Sequence, residues 1–201
     1  PLTINGFAAL ELLSDKRCNP FSQNRSGITI GEGGALFIME KGSDGVVLLG
    51  VGESSDAYHP STPDPTGRGA ARAIAAALAE GGVSPSAIDY INLHGTGTIH
   101  NDAMESCALE LCCLSDIPAS STKSWHGHTL GASGAIEAAL CWCLLTRSGS
   151  GALPLHLWDK ERDTTIPRVN LIDSPCSVVP KTILSNSFGF GGSNCSLLLT
   201  V

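Results

Sequence analysis

The segment "STKSWHGHTLGASGAIE", residues 121–137, sets Lys123, His126, His128 and Glu137 among residues that are otherwise small or apolar. An ionised carboxylate enclosed by alanine, glycine and leucine needs a partner, because burial strips its hydration and only opposite charge or hydrogen bonds replace it. Lys123 is the nearest cation in the sequence. A buried Lys123–Glu137 pair can organise a core as readily as a site. His94, in "HGTGT", is followed by glycine, and His128 is preceded by one, which lets a substrate come close to ring and backbone. Together with "FGFGG" at residues 188–192, these glycine-flanked features favour a site over histidines that merely fill a core.

Placing such residues requires particular elements. His94 ends a short strand expected from Tyr90 to Leu93, and strand ends are where layered α/β folds build sites, since the strand fixes the residue while the loop opens to ligand. The helical spacing of Ala71, Ile74, Ala75 and Leu78 predicts a helix over Arg68–Glu80, with Gly81 and Gly82 as its stop. A second helix is expected from about Asp102 to Leu114, its early acidic residues suiting a helix N-terminus. "IPASSTKS" reads as a strand, and an alanine-rich helix follows residues 121–137's opening turn to about Thr146. "TILSNSFGFGGSNCSLLLTV" reads as two strands joined across a glycine-rich bend. Residues 27–40, "GITIGEGGALFIME", and 45–58, "GVVLLGVGESSDAY", are expected to pair as a hairpin through the turn "KGSDG".

The 201 residues suffice for one sizeable core. Only 15% are charged, and a net charge of −7 speaks against a general nucleic-acid or anionic-membrane surface. Of the eight cysteines, Cys107, Cys112, Cys141 and Cys143 sit in apolar helical runs, so a reduced, cytoplasmic setting is expected rather than a disulfide scaffold. Neither Cys112-Cys113 nor Cys141-Trp142-Cys143 has zinc-ligand spacing, and no metal site is expected. The longest apolar run, Gly131 to Leu145, is broken by Glu137 and falls short of the roughly 20 residues a membrane span needs. The chain starts at Pro1 without a leader-like segment, and the expectation is a soluble protein read from its middle onwards.

The ordered set His94-Gly95-Thr96-Gly97-Thr98, then Ser121-Thr122-Lys123-Ser124 with Gly127-His128 and Gly131, then Asn186-Ser187-Phe188-Gly189-Phe190-Gly191-Gly192-Ser193-Asn194 resembles the C-terminal half of an elongating β-ketoacyl-acyl carrier protein synthase of the thiolase superfamily. "GITIGEGGA" and "SSDAYH" extend the resemblance over nearly the whole chain. It implies half of a layered αβαβα thiolase fold: a mixed five-stranded sheet with helices on both faces, packed in the intact protein against an N-terminal half. It also implies a decarboxylative Claisen condensation that extends an acyl group with malonyl-acyl carrier protein, in fatty-acid or polyketide-like elongation.

By the same resemblance, His94 and His128 face the malonyl thioester carbonyl and stabilise its enolate, while Lys123 and Glu137 hold the histidine loop. Thr96 and Thr98 match hydroxyls that bind the pantetheine arm. Phe190, beside Gly191, matches a gate between acyl and malonyl pockets, with its N–H in the oxyanion hole. No cofactor is implied beyond the phosphopantetheine that carries the substrates. The implied partners are acyl carrier protein, the N-terminal half and a homodimeric or heterodimeric ketosynthase mate. The family's nucleophilic cysteine belongs to the N-terminal half, and no cysteine here has its setting, so this chain alone is expected not to condense. A chain-length-factor-like subunit without catalysis is the competing expectation, and the family's three basic residues argue against it. His126 stands where relatives often have a non-ionisable residue. Glu11 is expected in a helix where relatives offer a basic contact, leaving Arg17, Arg25, Arg68 and Arg72 for charge pairing.

Overall fold

The computed structural model describes residues 2–42, 44–146 and 152–201. Helix α1 (Leu2–Ala9) precedes a long irregular stretch, followed by β1 (Val47–Ser55), α2 (Arg68–Gly81), β2 (Tyr90–Asn92) and α3 (Ile99–Leu111). Next come β3 (Ala119–Ser120), the single turn α4 (Lys123–His126), α5 (Ser133–Thr146) and the antiparallel pair β4 (Thr182–Phe188) and β5 (Ser193–Thr200). The strands form one mixed sheet in the order β1-β5-β4-β2-β3, with β2 parallel to both β3 and β4.

Strand alternation puts helices on both faces. Ile91, Leu93, Leu184 and Leu198 turn to one side and pack with Ala70, Ile74 and Leu78 of α2 and Met104, Ala108 and Leu109 of α3. Their neighbours Tyr90, Ile183 and Leu199 turn to the other and meet Cys141 and Leu145 of α5. The expected five-stranded architecture is therefore present. Helix α2 ends where the two glycines stop it: Gly82 takes a left-handed φ of 62° and returns its N–H to the carbonyls of Leu78 and Ala79.

The hairpin expected from residues 27–58 does not form. Val47–Ser55 pairs with β5, while residues 29–31 cross the loop before α5. There the His128 N–H donates to Thr29 O at 2.7 Å, and the Gly31 N–H donates to His128 O at 3.0 Å. The crossing is too close for side chains, since a Cβ on Gly31 would lie 2.1 Å from the His126 carbonyl oxygen. Of the two expected strands only the second forms, with a different partner, while residues 27–40 make isolated bridges at Ile28 and Ile30 and no strand. Ser43, in the expected turn, lies outside the described residues.

Three smaller expectations also shift. Helix α1 ends before Glu11, which is exposed with φ 55°. Cys112 and Cys113 fall just beyond α3, as its cap and the residue after it. The "IPASSTKS" strand shrinks to two residues because Ser121 and Thr122 already turn into α4.

Candidate functional site

The site lies where β2, β3 and β4 end on one side of the sheet. His94 follows β2 by two residues, Lys123 follows β3 by three, and the bend from Gly189 to Gly192 follows β4. Loops at those ends surround a cavity of about 480 Å³ lined by His94, Thr96, Thr98, His128, Phe188 and Phe190, among others. None of the eight cysteines lines it.

His94 and His128, 34 positions apart in sequence, stand edge to face with ring centroids 5.5 Å apart and planes at 86°. Lys123 explains the posture of the first. Its Nζ donates to Glu137, to the His94 carbonyl oxygen at 2.5 Å, and toward His94 Nδ1 at 3.4 Å. Three acceptors use the three N–H groups of an ammonium, so His94 Nδ1 is an acceptor and the ring proton sits on Nε2. Both Lys123 and Glu137 side chains are fully enclosed. Burial pushes the Glu137 carboxyl upward, opposed by the lysine charge and its hydrogen bond.

His128 is set by a different device. The backbone N–H of Leu130 donates to His128 Nδ1 at 3.1 Å, again leaving the proton on Nε2. Leu130 itself adopts a left-handed φ of 54°, uncommon for a residue with a side chain. Burial, then the nearby lysine charge, holds His94 well below the ordinary histidine range and His128 at about 3. Both rings are thus neutral at pH 7. Among the described residues neither Nε2 has a hydrogen-bond partner, so two N–H donors remain available in the cavity.

The loop carrying His94 is held from below by two carboxylates that the sequence did not mark as site residues. Asp102 and Glu105 stand three residues apart on α3 and so share a face. Glu105 accepts the N–H groups of His94 at 2.9 Å and Gly95 at 2.8 Å. Asp102 accepts those of Thr96 at 3.1 Å, Gly97 at 3.3 Å and, across the chain, Phe21 at 2.8 Å. Four successive backbone donors are satisfied by one helix. Burial drives Asp102 upward and Glu105 to about 7. Asp102 lies in the first turn of α3, as expected, and anchors the loop as well.

The remaining expected residues fall around the rim. Thr98 caps α3 by accepting the Asn101 N–H at 3.3 Å, and its hydroxyl lies 2.9 Å from that of Thr96. Phe190 is half exposed and stacks at 5.7 Å on Phe7. The Gly191 N–H donates to Pro60 O at 2.8 Å, tying the bend to the loop after β1. His126 points away from the cavity, with Nε2 3.0 Å from the Thr122 hydroxyl. Of Arg17, Arg25, Arg68 and Arg72, Arg25 forms an ion pair, with Asp163, among the described residues. Among the described residues no group of three or more His, Cys, Asp or Glu side chains could hold a metal ion.

The strand ends of a mixed sheet thus bring two neutral imidazoles, with a buried ammonium and its carboxylate behind them, to one cavity, an arrangement able to stabilise negative charge on a bound carbonyl oxygen. Residues 46–150 match the family described as beta-ketoacyl synthase, C-terminal domain, and the chain belongs to that family. It is 34% identical over 217 aligned residues to 3-oxoacyl-[acyl-carrier-protein] synthase 2 of Coxiella burnetii, covering 100% of this chain and 52% of that protein. A solved ketosynthase in complex with its chain length factor, from Xenorhabdus doucetiae, superposes with a TM-score of 0.90 at 46% identity, covering 100% of this chain and 50% of the other. A type II polyketide acyl-carrier protein in complex with its ketosynthase, bound to a hexaketide, matches at TM-score 0.86 and 27% identity, covering 100% of this chain and 53% of that one. The chain spans about half the length of the curated relatives it matches. No helix among the described residues is long and apolar enough to cross a membrane.

Proposed function

We propose that this chain is the C-terminal part of a 3-oxoacyl-[acyl-carrier-protein] synthase and supplies its decarboxylation machinery. The observation that carries the reading is the convergence of two Nε2–H donors, from His94 and His128, on one cavity. When malonyl thioester loses carbon dioxide, the electron pair of the breaking C–C bond moves onto the thioester carbonyl oxygen. Two fixed N–H donors there stabilise the enolate as it forms and cost no reorganisation. The enolate carbon then attacks an acyl thioester, whose thiolate leaves.

In this reading the acylated cysteine comes from an N-terminal half, and the chain alone does not condense. The surface supports such a partner: Leu36 and Ile38 are 101% and 95% exposed, and α5 shows Trp142 to solvent, apolar groups that a packed second half would cover. Thr96 and Thr98 then meet the pantetheine arm of an acyl carrier protein, Phe190 gates the acyl pocket, and Gly191 lends the bend its freedom. No metal or organic cofactor takes part. A chain-length-factor role is disfavoured because a scaffold has no use for two oriented N–H donors and their ammonium support.

The test is His94→Ala and His128→Ala in the intact protein, following malonyl decarboxylation and acyl transfer separately. Each substitution is expected to lower decarboxylation by at least about a hundredfold, the scale of removing one oxyanion donor, and to spare acyl transfer. Unchanged decarboxylation would count against the role.

A further inference from the structure

Residues 152–178 form no helix or strand, yet His156 within them is only 3% exposed and does not line the cavity. Its ring is packed by Phe21 at 6.0 Å and Trp158 at 5.7 Å, both in tilted edge contact. Both nitrogens are committed. The Ser121 N–H donates to Nδ1 at 3.1 Å, and Nε2 donates to Pro20 O at 2.9 Å, a combination that only the neutral Nε2–H tautomer can make.

Ser121 is bonded to both halves of the candidate site. Its hydroxyl donates to Gly95 O at 2.6 Å, directly after His94, and accepts the Lys123 N–H at 3.3 Å. The path from His156 through Ser121 therefore reaches the His94 loop and the turn that carries Lys123. We propose that His156 is a positioning residue: its Nδ1 fixes the Ser121 backbone, and Ser121 sets the distance between the His94 loop and the Lys123 turn. This rests on the decarboxylation role proposed above.

The two bonds of the ring separate positioning from simple packing. Asparagine places its Oδ1 near the position of histidine Nδ1 and can still accept from Ser121, but is too short for Pro20. Glutamine places its Nε2 near that of histidine and can still reach Pro20, but loses the acceptor for Ser121. A displacement of about 1 Å at a reacting group costs on the order of a hundredfold in rate.

In the intact protein, His156→Gln and Ser121→Ala are expected to lower kcat for malonyl-carrier decarboxylation at least about tenfold, with KM within about twofold. His156→Asn is expected to stay within about threefold of the parent, and the His156→Gln/Ser121→Ala double variant to be no worse than Ser121→Ala alone. Amide hydrogen exchange at Ser121 should quicken in His156→Gln and not in His156→Asn. Equal losses in the two His156 variants, losses that simply track the fall in Tm, or an unaffected Ser121→Ala would each overturn the proposal. Absence of decarboxylation in the parent protein would instead overturn the function, and the Ser121 exchange pattern would still decide whether the strut exists.

Discussion

The Nζ of Lys123 lies 3.4 Å from Nδ1 of His94 and is paired with Glu137 in a fully enclosed site. The lysine thereby sets which nitrogen of an imidazole carries the proton, while the carboxylate compensates its charge. An organiser of this kind acts on the orientation and tautomer of His94 and need not exchange a proton in turnover.

Lys123→Ala removes both effects and leaves Glu137 as a buried carboxylate without its cation. Breaking a buried ion pair from one side costs about 3–5 kcal/mol, so a lower Tm is expected, together with loss of decarboxylation. Lys123→Ala/Glu137→Gln should recover much of the stability, because no uncompensated carboxylate remains, and little of the activity, because His94 Nδ1 still lacks its donor. Thermal unfolding and decarboxylation rates measured on the same preparations separate the two. Parallel recovery of both would show that Lys123 only stabilises.

The Lys123–Glu137 pair was legible in the sequence because a single acid broke an alanine- and leucine-rich helix, and helix α2 because its apolar spacing ended on two glycines. The Glu105 anchor was not. Acids early in a helix are ordinarily explained by the helix dipole, and Asp102 and Glu105 looked like such a pair. One signal was available: Glu105 lies four residues before Leu109, on the apolar face of α3, the same kind of misplaced charge that exposed Glu137. Nothing local marked His156, whose partners Pro20 and Ser121 are 136 and 35 residues away. The misplaced hairpin has a similar cause, since a strand pattern specifies extended backbone and leaves its partner to tertiary packing.

Gly52 tests how α2 is seated on the sheet. A Cβ there would lie 1.8 Å from the Ala73 carbonyl oxygen, and one on Gly50 would lie 2.2 Å from that of Ala77. Both obstacles are helix backbone, which cannot swing aside as a side chain does. Gly52→Ala must push α2 off β1, and overpacking of this kind costs about 1–3 kcal/mol. Gly34→Ala, where nothing lies within 4 Å of the added carbon, is the control. A clear fall in Tm for Gly52→Ala and little change for Gly34→Ala is expected, and equal values would mean the helix has room.

Glu105 gives the fold a pH dependence of defined sign. Burial raises its carboxyl from 4.5 to about 7, against the pull of the His94 and Gly95 N–H groups. Because the folded value lies above the unfolded one, the folded state keeps a proton that the unfolded chain releases as pH rises. The associated stability is fully present below about 4.5 and is lost as pH rises through about 7. Glu105→Gln cannot ionise and lacks this loss, although it forfeits one of the two N–H bonds at every pH. The stability of Glu105→Gln relative to the parent should therefore improve between pH 5 and pH 8, by up to about 3 kcal/mol at 1.36 kcal/mol per unit. Denaturant unfolding of both proteins at several pH values measures it. A difference that stays constant across that window would mean that the His94 loop rests on a carboxylate already ionised, with the two backbone donors outweighing burial.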